Sequence, residues 1–439
     1  MQPSKHNIIA PISGTNLSVI VNLLSGNADV LEASKAAEIA GGESADDPEL
    51  VEKGYLVDPK QEAQRFRDAY LEFLEGRDTD EIQLFYVPSY ACNFNCSYCY
   101  QNSYESPKGS DQDATIAAFF DYIDRSFAGR RKYVTLFGGE PLLPNEGSKR
   151  VLEGLIAGTV ARNLDLAVVT NGYNLERYID TLSSGRIREI QVTLDGPRPV
   201  HDGRRHLVAG QPTFDNIVKG IDAALARGLA INLRTVLDRE NIDAYVELAR
   251  FAIGRGWTQN PRFKTQIGRN YELHECQADR QKLYTRLELY QDMFRLAKAH
   301  PELLSFHRPA FSISRFLFDE GKLPSALFDA CPATKTEWAF DYTGHIFSCT
   351  ATVGKTSESL GTFYPEVRLD EDKVTDWEDR DVLAIEQCSL CNLALACGGG
   401  CGSVAKNRTG SVCTPDCRPI KELLSLGVAL YAPSDTLEL

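Results

Sequence analysis

Between residues 81 and 267, apolar strand-like runs alternate with helical stretches, and this alternation constrains the fold more than any other feature. The strand-like runs cover residues 82–87, 133–137, 164–169, 190–194, 230–236 and 262–267. The helical patterns between them cover residues 113–127, 148–161, 175–183, 214–227 and 241–255. Strands that alternate with helices form parallel sheets with right-handed crossovers. We therefore expect either an open barrel or a doubly wound sheet.

Unusual residues follow the first four of these strands. Three cysteines follow the first strand, and Gly138-Gly139-Glu140-Pro141 follows the second. Thr170-Asn171-Gly172 follows the third, and Asp195-Gly196-Pro197 follows the fourth. Each segment alone could be an ordinary turn, because these are turn residues. The carboxyl ends of parallel strands lie on one face, however, so the four segments together predict a functional site.

The three cysteines, Cys92, Cys96 and Cys99, have the spacing C-x3-C-x2-C. Three thiolates can hold three irons of a [4Fe–4S] cube and leave the fourth iron open for a ligand. The alternative is part of a zinc ribbon, which usually shows paired C-x2-C knuckles. The triplet therefore favours an iron–sulfur site at which chemistry can occur.

A second group of eight cysteines lies in the last quarter of the chain: Cys331, Cys349, Cys388, Cys391, Cys397, Cys401, Cys413 and Cys417. Eight is the number that two complete four-cysteine sites need. Two structural zinc sites are the alternative, which thiolate spacing alone does not exclude. The open triplet upstream favours iron–sulfur, because extra clusters can carry electrons to or from a reaction centre. Of the 12 cysteines, Cys276 remains, and we expect it to be an ordinary small thiol.

Length and composition describe a globular protein of several domains. The chain has 439 residues, and no apolar run approaches the length of a membrane span. The N-terminus lacks the pattern of a secretion signal, so we expect a cytoplasmic location, where thiols stay reduced. The formal charge of −14 argues against a nucleic-acid binder, which needs a basic face.

Residues 1–80 are expected to form a separate piece. Strand-like runs at 7–12 and 17–24 are followed by helical patterns near 32–39 and 59–76. A small module of this kind can receive a peptide by strand addition at a sheet edge. The alternative is an ordinary N-terminal cap on the main domain. Residues 276–330 are expected to form a mostly helical bridge to the cysteine-rich part.

The quoted motifs resemble those of a known family. The C-x3-C-x2-C triplet, with Tyr98 before its last cysteine, resembles the signature of radical SAM enzymes. The C-x12-G-x4-C and C-x2-C-x5-C-x3-C arrangements resemble the SPASM extension. The segments 137–141 and 193–197, followed by His201, Asp202 and Arg205, are similar to the branch that contains anaerobic sulfatase maturases. The resemblance covers about residues 81 to 420.

The resemblance implies an α/β fold with a partial (β/α)6 TIM-like barrel. It also implies a small N-terminal α+β module, winged-helix-like, and a C-terminal Cys-rich SPASM domain. The corresponding domains are 1–80 (peptide-recognition-like module), 81–275 (radical SAM partial barrel), 276–330 (helical bridge) and 331–439 (SPASM domain with two auxiliary iron–sulfur clusters).

The resemblance also implies three [4Fe–4S] clusters and S-adenosyl-L-methionine (SAM) as cofactors. Cys92, Cys96 and Cys99 would bind the cluster whose open iron chelates SAM. The residues that would contact SAM are Tyr98 (adenine), Gly138, Gly139 and Glu140 (amino group), Thr193 (ribose) and Arg205 (carboxylate). Cleavage of SAM would yield a 5′-deoxyadenosyl radical that abstracts a substrate hydrogen. A flavodoxin or ferredoxin would supply the electron.

In the SPASM part, Cys331, Cys349 and Cys401 match ligands of the first auxiliary cluster. Cys388, Cys391 and Cys397 match ligands of the second. The resemblance leaves Cys413 and Cys417 unassigned between the two clusters. If all eight cysteines are ligands, both clusters are closed and accept electrons, which favours a carbon–carbon or carbon–oxygen link over a thioether.

Two positions differ from the sulfatase maturases. Thr350 stands where those enzymes carry an aspartate that acts as a base, and Glu337 stands where they carry a further cysteine. A threonine is a poor proton acceptor. The leading hypothesis is therefore a peptide maturase that cross-links or oxidises a ribosomally made precursor peptide, with the substrate base unidentified. Formylglycine formation by an anaerobic sulfatase-maturating enzyme is the alternative, and a non-catalytic zinc-binding scaffold is a remote one.

Overall fold

The fold is described from a computed structural model, which covers residues 1–42, 47–104, 111–269 and 281–433. The N-terminal part contains β1 (Gln2–Pro3), β2 (Ile8–Pro11), β3 (Leu17–Asn22), β4 (Asn27–Glu32), α1 (Ala33–Gly41), α2 (Pro48–Glu52), β5 (Leu56–Val57) and α3 (Pro59–Thr79). Strands β2, β3 and β4 form an antiparallel sheet in that order, and β1 pairs with β5. The sheet has one more strand than the sequence predicted, because β4 precedes the expected helix.

The central part alternates strands with helices. Its strands are β6 (Ile82–Val87), β7 (Lys132–Leu136), β8 (Leu166–Thr170), β9 (Ile187–Thr193), β10 (Ile231–Leu237) and β11 (Phe263–Arg269). Its helices are α4 (Gln112–Ser126), α5 (Glu146–Ala161), α6 (Leu175–Ser183), α7 (Arg198–Arg204), α8 (Phe214–Ala226) and α9 (Tyr245–Gly254). Each predicted strand and helix is present within a few residues of its predicted bounds. Helix α7 was not predicted.

The strand order decides between the two expected architectures. Strands β6 to β11 are all parallel, and each is hydrogen-bonded to the next in the chain. A doubly wound sheet reverses its order at a switch point, and this sheet does not. The apolar side chains of the helices pack on one face of the sheet in a single core. The structure is therefore the open, partial barrel.

The C-terminal part begins with α10 (Arg286–Ala299), α11 (Leu303–Phe306) and α12 (Ser314–Glu320). It continues with β12 (Glu337–Asp341), β13 (His345–Phe347), β14 (Gly361–Thr362), β15 (Arg368–Leu369), α13 (Glu371–Glu378), α14 (Glu386–Ser389), α15 (Ala394–Cys397), α16 (Gly402–Thr409) and α17 (Ile420–Tyr431). Strand β12 pairs in parallel with β6, so the barrel sheet runs on into the cysteine-rich part. The sequence did not predict this junction.

The N-terminal sheet shares a core with the C-terminal helices. Buried side chains of β2 and β3, such as Ala10 and Val19, belong to the same apolar cluster as Phe328, Ile385 and Leu424. Residues 1–80 are therefore packed onto the molecule in the manner of a cap. None of the helices in the described ranges has both the length and the apolar character needed to cross a bilayer.

Candidate active site

The loop that carries the three cysteines follows β6 and is held on two sides by backbone hydrogen bonds. On one side, the N–H of Gly139 donates to Ser89 O (3.0 Å), and the N–H of Glu140 donates to Ala91 O (2.9 Å). On the other side, the N–H of Asn95 donates to the carbonyl of His206 (2.9 Å). The loop is thus fixed between the end of β7 and the segment after α7.

Gly139 permits this close approach of two backbones. A Cβ atom at position 139 would lie 2.2 Å from the carbonyl oxygen of Ala91 and 2.6 Å from the backbone of Tyr90. No side chain can be accommodated at such distances, because real Cβ contacts are longer than 3.0 Å. The glycine therefore positions the cysteine loop, in addition to any contact with a ligand.

The cysteine loop faces a cavity of about 410 Å³ at the carboxyl ends of the barrel strands. The structure brings the three cysteines together there with most of the predicted SAM contacts. The lining includes Cys92, Cys96, Cys99, Tyr98, Gly138, Gly139, Thr193 and Arg205. Glu140 is the one predicted site residue of the barrel that does not line this cavity.

Glu140 is buried behind the cavity wall. Its carboxylate accepts hydrogen bonds from the Thr170 hydroxyl (2.7 Å) and from the backbone N–H groups of Asn171 (2.6 Å) and Leu142 (2.8 Å). Burial raises its pKa, and these hydrogen bonds lower it. The carboxylate thus joins the end of β8 to the glycine segment, and the predicted contact with an amino group does not fit its orientation.

Tyr98, Asp195 and Arg205 form a hydrogen-bonded chain at the cavity. The Tyr98 hydroxyl donates to Asp195 Oδ2 (2.5 Å), and Arg205 Nη1 donates to the Tyr98 hydroxyl (2.6 Å). Asp195 is fully buried, and its other oxygen accepts the N–H of Val236 (2.9 Å). The sequence showed Asp195 only as part of a strand-end turn. The structure shows that it orients Tyr98 and, through Tyr98, Arg205.

One hydrogen-bond donor of the Arg205 side chain is not used within the described part of the protein. Its Nε is buried and has no hydrogen-bond partner in the described protein. A buried guanidinium nitrogen without an acceptor is costly, and a carboxylate would satisfy it. The residues present therefore fit the carboxylate of SAM, and the three thiols on the same cavity fit the cluster that would chelate it.

The thiols of Cys92 and Cys96 are protonated when no metal is bound. Burial raises the pKa of Cys92 to about 12, with a further contribution from the charge of Glu140. Burial likewise raises the pKa of Cys96 to about 11. A bound metal deprotonates such thiols, because the thiolate is the ligand. Binding of a metal cluster at this site therefore releases protons from the thiols.

The cavity lining also includes Thr350, which the sequence singled out, and Tyr100, Gln191 and Arg234, which it did not. Arg234 lies directly beside Thr193 in the pairing of β10 with β9. Thr350 comes from the cysteine-rich part, and its carbonyl accepts from the Tyr100 hydroxyl (3.4 Å). The alternation of β9 and β10 could have indicated that Gln191 and Arg234 face the barrel interior, whereas the position of Tyr100 depends on non-local contacts.

The auxiliary cysteines fall into two groups. Cys388, Cys391, Cys397 and Cys417 lie near one another, and each of the other three thiols contributes to the raised pKa of Cys388 after burial. Cys331, Cys349 and Cys401 form the other group, in which burial and the neighbouring thiols raise the pKa of Cys349. The backbone N–H groups of Ala333 and Gly402 point at the sulfur of Cys331. Such N–H···S contacts fit an iron–sulfur cluster.

Gly400 allows the backbone to close around these groups. It has a φ of +72°, and a Cβ there would lie 2.0 Å from the carbonyl oxygen of Asp416. Within the described residues, no three His, Cys, Asp or Glu side chains converge tightly enough to hold a single metal ion. The ligands of a [4Fe–4S] cube surround four irons and stand further apart than those of one ion.

Cys413 has an exposed thiol. After burial, the charged groups that act most on its pKa are Asp376, Arg380, Asp379 and Lys335. The assignment of Cys413 as a cluster ligand stays a prediction. Cys276 lies outside the described residues.

Comparison with known proteins agrees with this geometry. Residues 86–252 match the model of the Radical SAM superfamily. The GTP 3′,8-cyclase of Campylobacter fetus is 29% identical over 38% of this chain and 50% of the cyclase. The cyclase of Nautilia profundicola is 27% identical over 38% of this chain and 51% of that protein. The chain thus spans about half the length of these curated relatives.

Two solved structures share the fold over most of the chain. Native anSMEcpe with bound AdoMet and a Cp18Cys peptide has a TM-score of 0.60, with 17% identity over 79% of this chain and 97% of that one. SuiB from Streptococcus suis, bound to its precursor peptide SuiA, has a TM-score of 0.53, with 15% identity over 95% of this chain and 98% of that one.

The fold of the chain is α/β, and the part that carries the cysteine site matches the Radical SAM superfamily over residues 86–252. The chain carries a radical SAM domain in residues 86–252, and it has the fold of the SPASM-type radical SAM structures anSMEcpe and SuiB.

Proposed function

We propose that this chain is a radical SAM peptide maturase, which abstracts a hydrogen from a ribosomally made precursor peptide and installs a cross-link or an oxidation. The observation that supports it most is the 410 Å³ cavity, where three cysteines meet an oriented arginine with an unused donor. When bound, the cluster supplies the electron that cleaves SAM to methionine and a 5′-deoxyadenosyl radical.

The chain's own residues bind and orient the cosubstrate. Arg205, held by Tyr98, would receive the SAM carboxylate through a planar fork. The backbone of Gly138 and Gly139 would receive its amino group, since Glu140 is engaged inside the protein. Thr193 would face the ribose. Thr350 and Ala351 form part of the cavity wall on the side of the cysteine-rich part.

The two auxiliary cysteine groups would hold two further [4Fe–4S] clusters. Clusters at these sites would carry electrons between the reaction centre and a donor or acceptor, such as flavodoxin or ferredoxin. Because the assignment of Cys413 as a ligand stays a prediction, the argument that eight cysteines close both clusters does not favour one type of bond over another.

The N-terminal module offers a site for the peptide. Strand β4 is at the edge of the sheet β2-β3-β4, and its residues are mostly half-buried. An extended segment of a precursor could add to this edge by main-chain hydrogen bonds. The similarity to SuiB, a structure with a bound precursor peptide, supports this substrate class.

Formylglycine formation on a sulfatase remains the second candidate, because anSMEcpe shares the fold. Position 350 is a threonine on the cavity wall, and a hydroxyl does not accept a proton as an aspartate does. A non-catalytic zinc scaffold does not account for an arginine that lines the same cavity as three thiols.

The test is to incubate anaerobically reconstituted, reduced protein with SAM and measure 5′-deoxyadenosine. We expect the product to form, and to form faster with the cognate peptide, with a mass change in that peptide. A Cys92→Ala variant provides the control. Absence of 5′-deoxyadenosine from a preparation that contains iron would overturn the proposal, and formylglycine in a sulfatase peptide would favour the second candidate.

A further inference from the structure

The first auxiliary group has three cysteines where a closed cubane needs four protein ligands. After burial, the thiols of Cys331 and Cys401 act on the pKa of Cys349, and those of Cys397 and Cys391 act on the pKa of Cys417. The thiol of Cys413 is exposed, and no cysteine is among the groups that act most on it. Either one iron is open or another side chain supplies the fourth donor.

The pairing of β12 with β13 brings Glu337 and Cys349 to the same end of the two strands. Ala339 pairs with Phe347 and Phe340 with Ile346 in an antiparallel register. Glu337 lies two residues before Ala339, and Cys349 lies two residues after Phe347. The backbone of Glu337 also lies next to Pro332, the residue that follows Cys331, because the Glu337 N–H donates to Pro332 O (2.9 Å).

The side chain of Glu337 is held towards Cys349. Its Oε1 accepts the N–H of Thr350 (2.9 Å), the residue that follows Cys349. The carboxylate is close enough to raise the pKa of the Cys349 thiol, second only to burial. A hydrogen bond to one oxygen leaves lone pairs on the carboxylate for another partner.

No cation balances this carboxylate within the described part of the chain. The groups that affect the pKa of Glu337 are burial, which raises it, and Thr350, whose hydrogen bonds lower it. Glu337 is half-buried, and a carboxylate that is partly shielded from water is normally paired with a cation or coordinates a metal. A neighbouring iron would provide that positive partner.

We propose that Glu337 is the fourth protein ligand at the Cys331–Cys349–Cys401 site, so that this auxiliary cluster is held by three thiolates and one carboxylate. The inference rests on the proposed iron–sulfur content of the cysteine-rich part. It assigns no cluster role to Cys413. An oxygen ligand is harder than a thiolate and binds iron–sulfur clusters more weakly, so this iron is also the one that an added thiolate would reach most readily.

The experiment uses full-length protein, reconstituted anaerobically with 57Fe, with SAM present to occupy the open iron of the triplet. Wild type, Glu337→Ala, Glu337→Cys and Cys413→Ala are compared by iron content, Mössbauer spectra and the electron paramagnetic resonance of the reduced state. Circular dichroism establishes that each variant is folded. Dithiothreitol is then added as the probe of an open iron.

We expect Glu337→Ala to lose about four irons per chain, or to keep them and show a dithiothreitol-dependent change in its resonance spectrum. Glu337→Cys should keep the irons, change the spectrum and not respond to dithiothreitol. Cys413→Ala should match the wild type.

An iron content and spectrum of Glu337→Ala identical to wild type would overturn the inference and leave the proposed function intact. So would a spectrum that changes in Cys413→Ala instead. Loss of activity alone in Glu337→Ala, with unchanged spectra, would identify the carboxylate as a proton acceptor and also overturn it. A wild type with only about four irons per chain would contradict the proposed auxiliary clusters themselves.

Discussion

At the scale of single residues, Arg205 lines the cavity, is held by Tyr98 and has one side-chain donor without a partner among the described residues. We expect Arg205→Lys to weaken SAM binding by about 10- to 100-fold, because a lysine retains the charge but loses the planar fork, and hydrogen bonds to charged groups contribute about 1.5–3 kcal/mol. Equilibrium dialysis with labelled SAM measures the effect. The control is Arg198→Lys on the exposed start of α7, which pairs with Asp215 away from the cavity. Equal affinities of the two variants would contradict the assignment.

The sequence predicted many residues of the site, because their spacing is local. The cysteine triplet, the two glycines, Thr193 and Arg205 all line the cavity. The direction of the Glu140 carboxylate could not be predicted, since it depends on the Thr170 hydroxyl at the end of β8 and on the N–H of Asn171 just after it, which lie in another part of the sequence. The same holds for Glu337, whose neighbour Cys349 is defined by a strand register.

At the scale of elements, the cysteine loop depends on one close contact with the end of β7. Gly139→Ala would place a methyl group 2.2 Å from the Ala91 carbonyl oxygen, so the loop must move. We expect the variant to fold but to lose most of the iron of the first cluster and nearly all SAM cleavage. Iron content and 5′-deoxyadenosine formation measure this.

The matched control is Gly76→Ala on α3, where an added Cβ meets nothing within 4 Å. Alanine at a helical glycine should stabilise by about 0.5–1 kcal/mol, with iron content unchanged. If Gly139→Ala retained the iron and the activity of wild type, the anchoring role of the glycine segment would be wrong.

The elements themselves were largely predictable from periodicity. Strand β6 and helix α6 have the predicted bounds. Strand β12 was missed, because its pairing partner β6 lies some 250 residues earlier and nothing local indicates which strand it joins. Strand β4 was missed because its sequence, Asn27–Glu32, mixes polar and apolar residues without clear alternation.

At the scale of the whole molecule, the N-terminal and C-terminal parts share a core and should unfold together. Leu424→Ala removes a fully buried side chain of α17 that belongs to this core, and we expect a loss of about 2–5 kcal/mol in the free energy of unfolding. Hydrogen exchange should show reduced protection in β3 as well as in α17. Leu71→Ala, exposed on α3, should change stability by less than about 0.5 kcal/mol. Protection of β3 that did not respond to Leu424→Ala would indicate an independent module.

A second prediction at this scale concerns pH. His6 is buried and stacks on Phe66, and burial, followed by the charge of Lys5, lowers its pKa to about 4. Below about pH 6.5 the unfolded chain binds a proton on this histidine that the folded chain does not. Stability should therefore fall as the pH drops from about 6.5 to 4, by about 3 kcal/mol in total from this group.

Denaturant unfolding at several pH values tests this. His6→Gln should flatten the pH dependence between 6.5 and 5, whereas His300→Gln, at an exposed position after α10, should retain the slope of wild type. If both variants kept that slope, His6 would not be the group responsible.

The hydrogen bonding of β12 to β6 also has a practical consequence for chimaeric proteins. A designer who exchanges the cysteine-rich region between relatives would cut naturally at the first auxiliary cysteine, near residue 331. That junction would leave Glu337–Asp341 of the donor to pair with residues 83–87 of a foreign β6. A chimaera that takes β6 and β12 from the same parent preserves the hydrogen bonds between these strands. Domain exchanges should therefore transfer the two strands together.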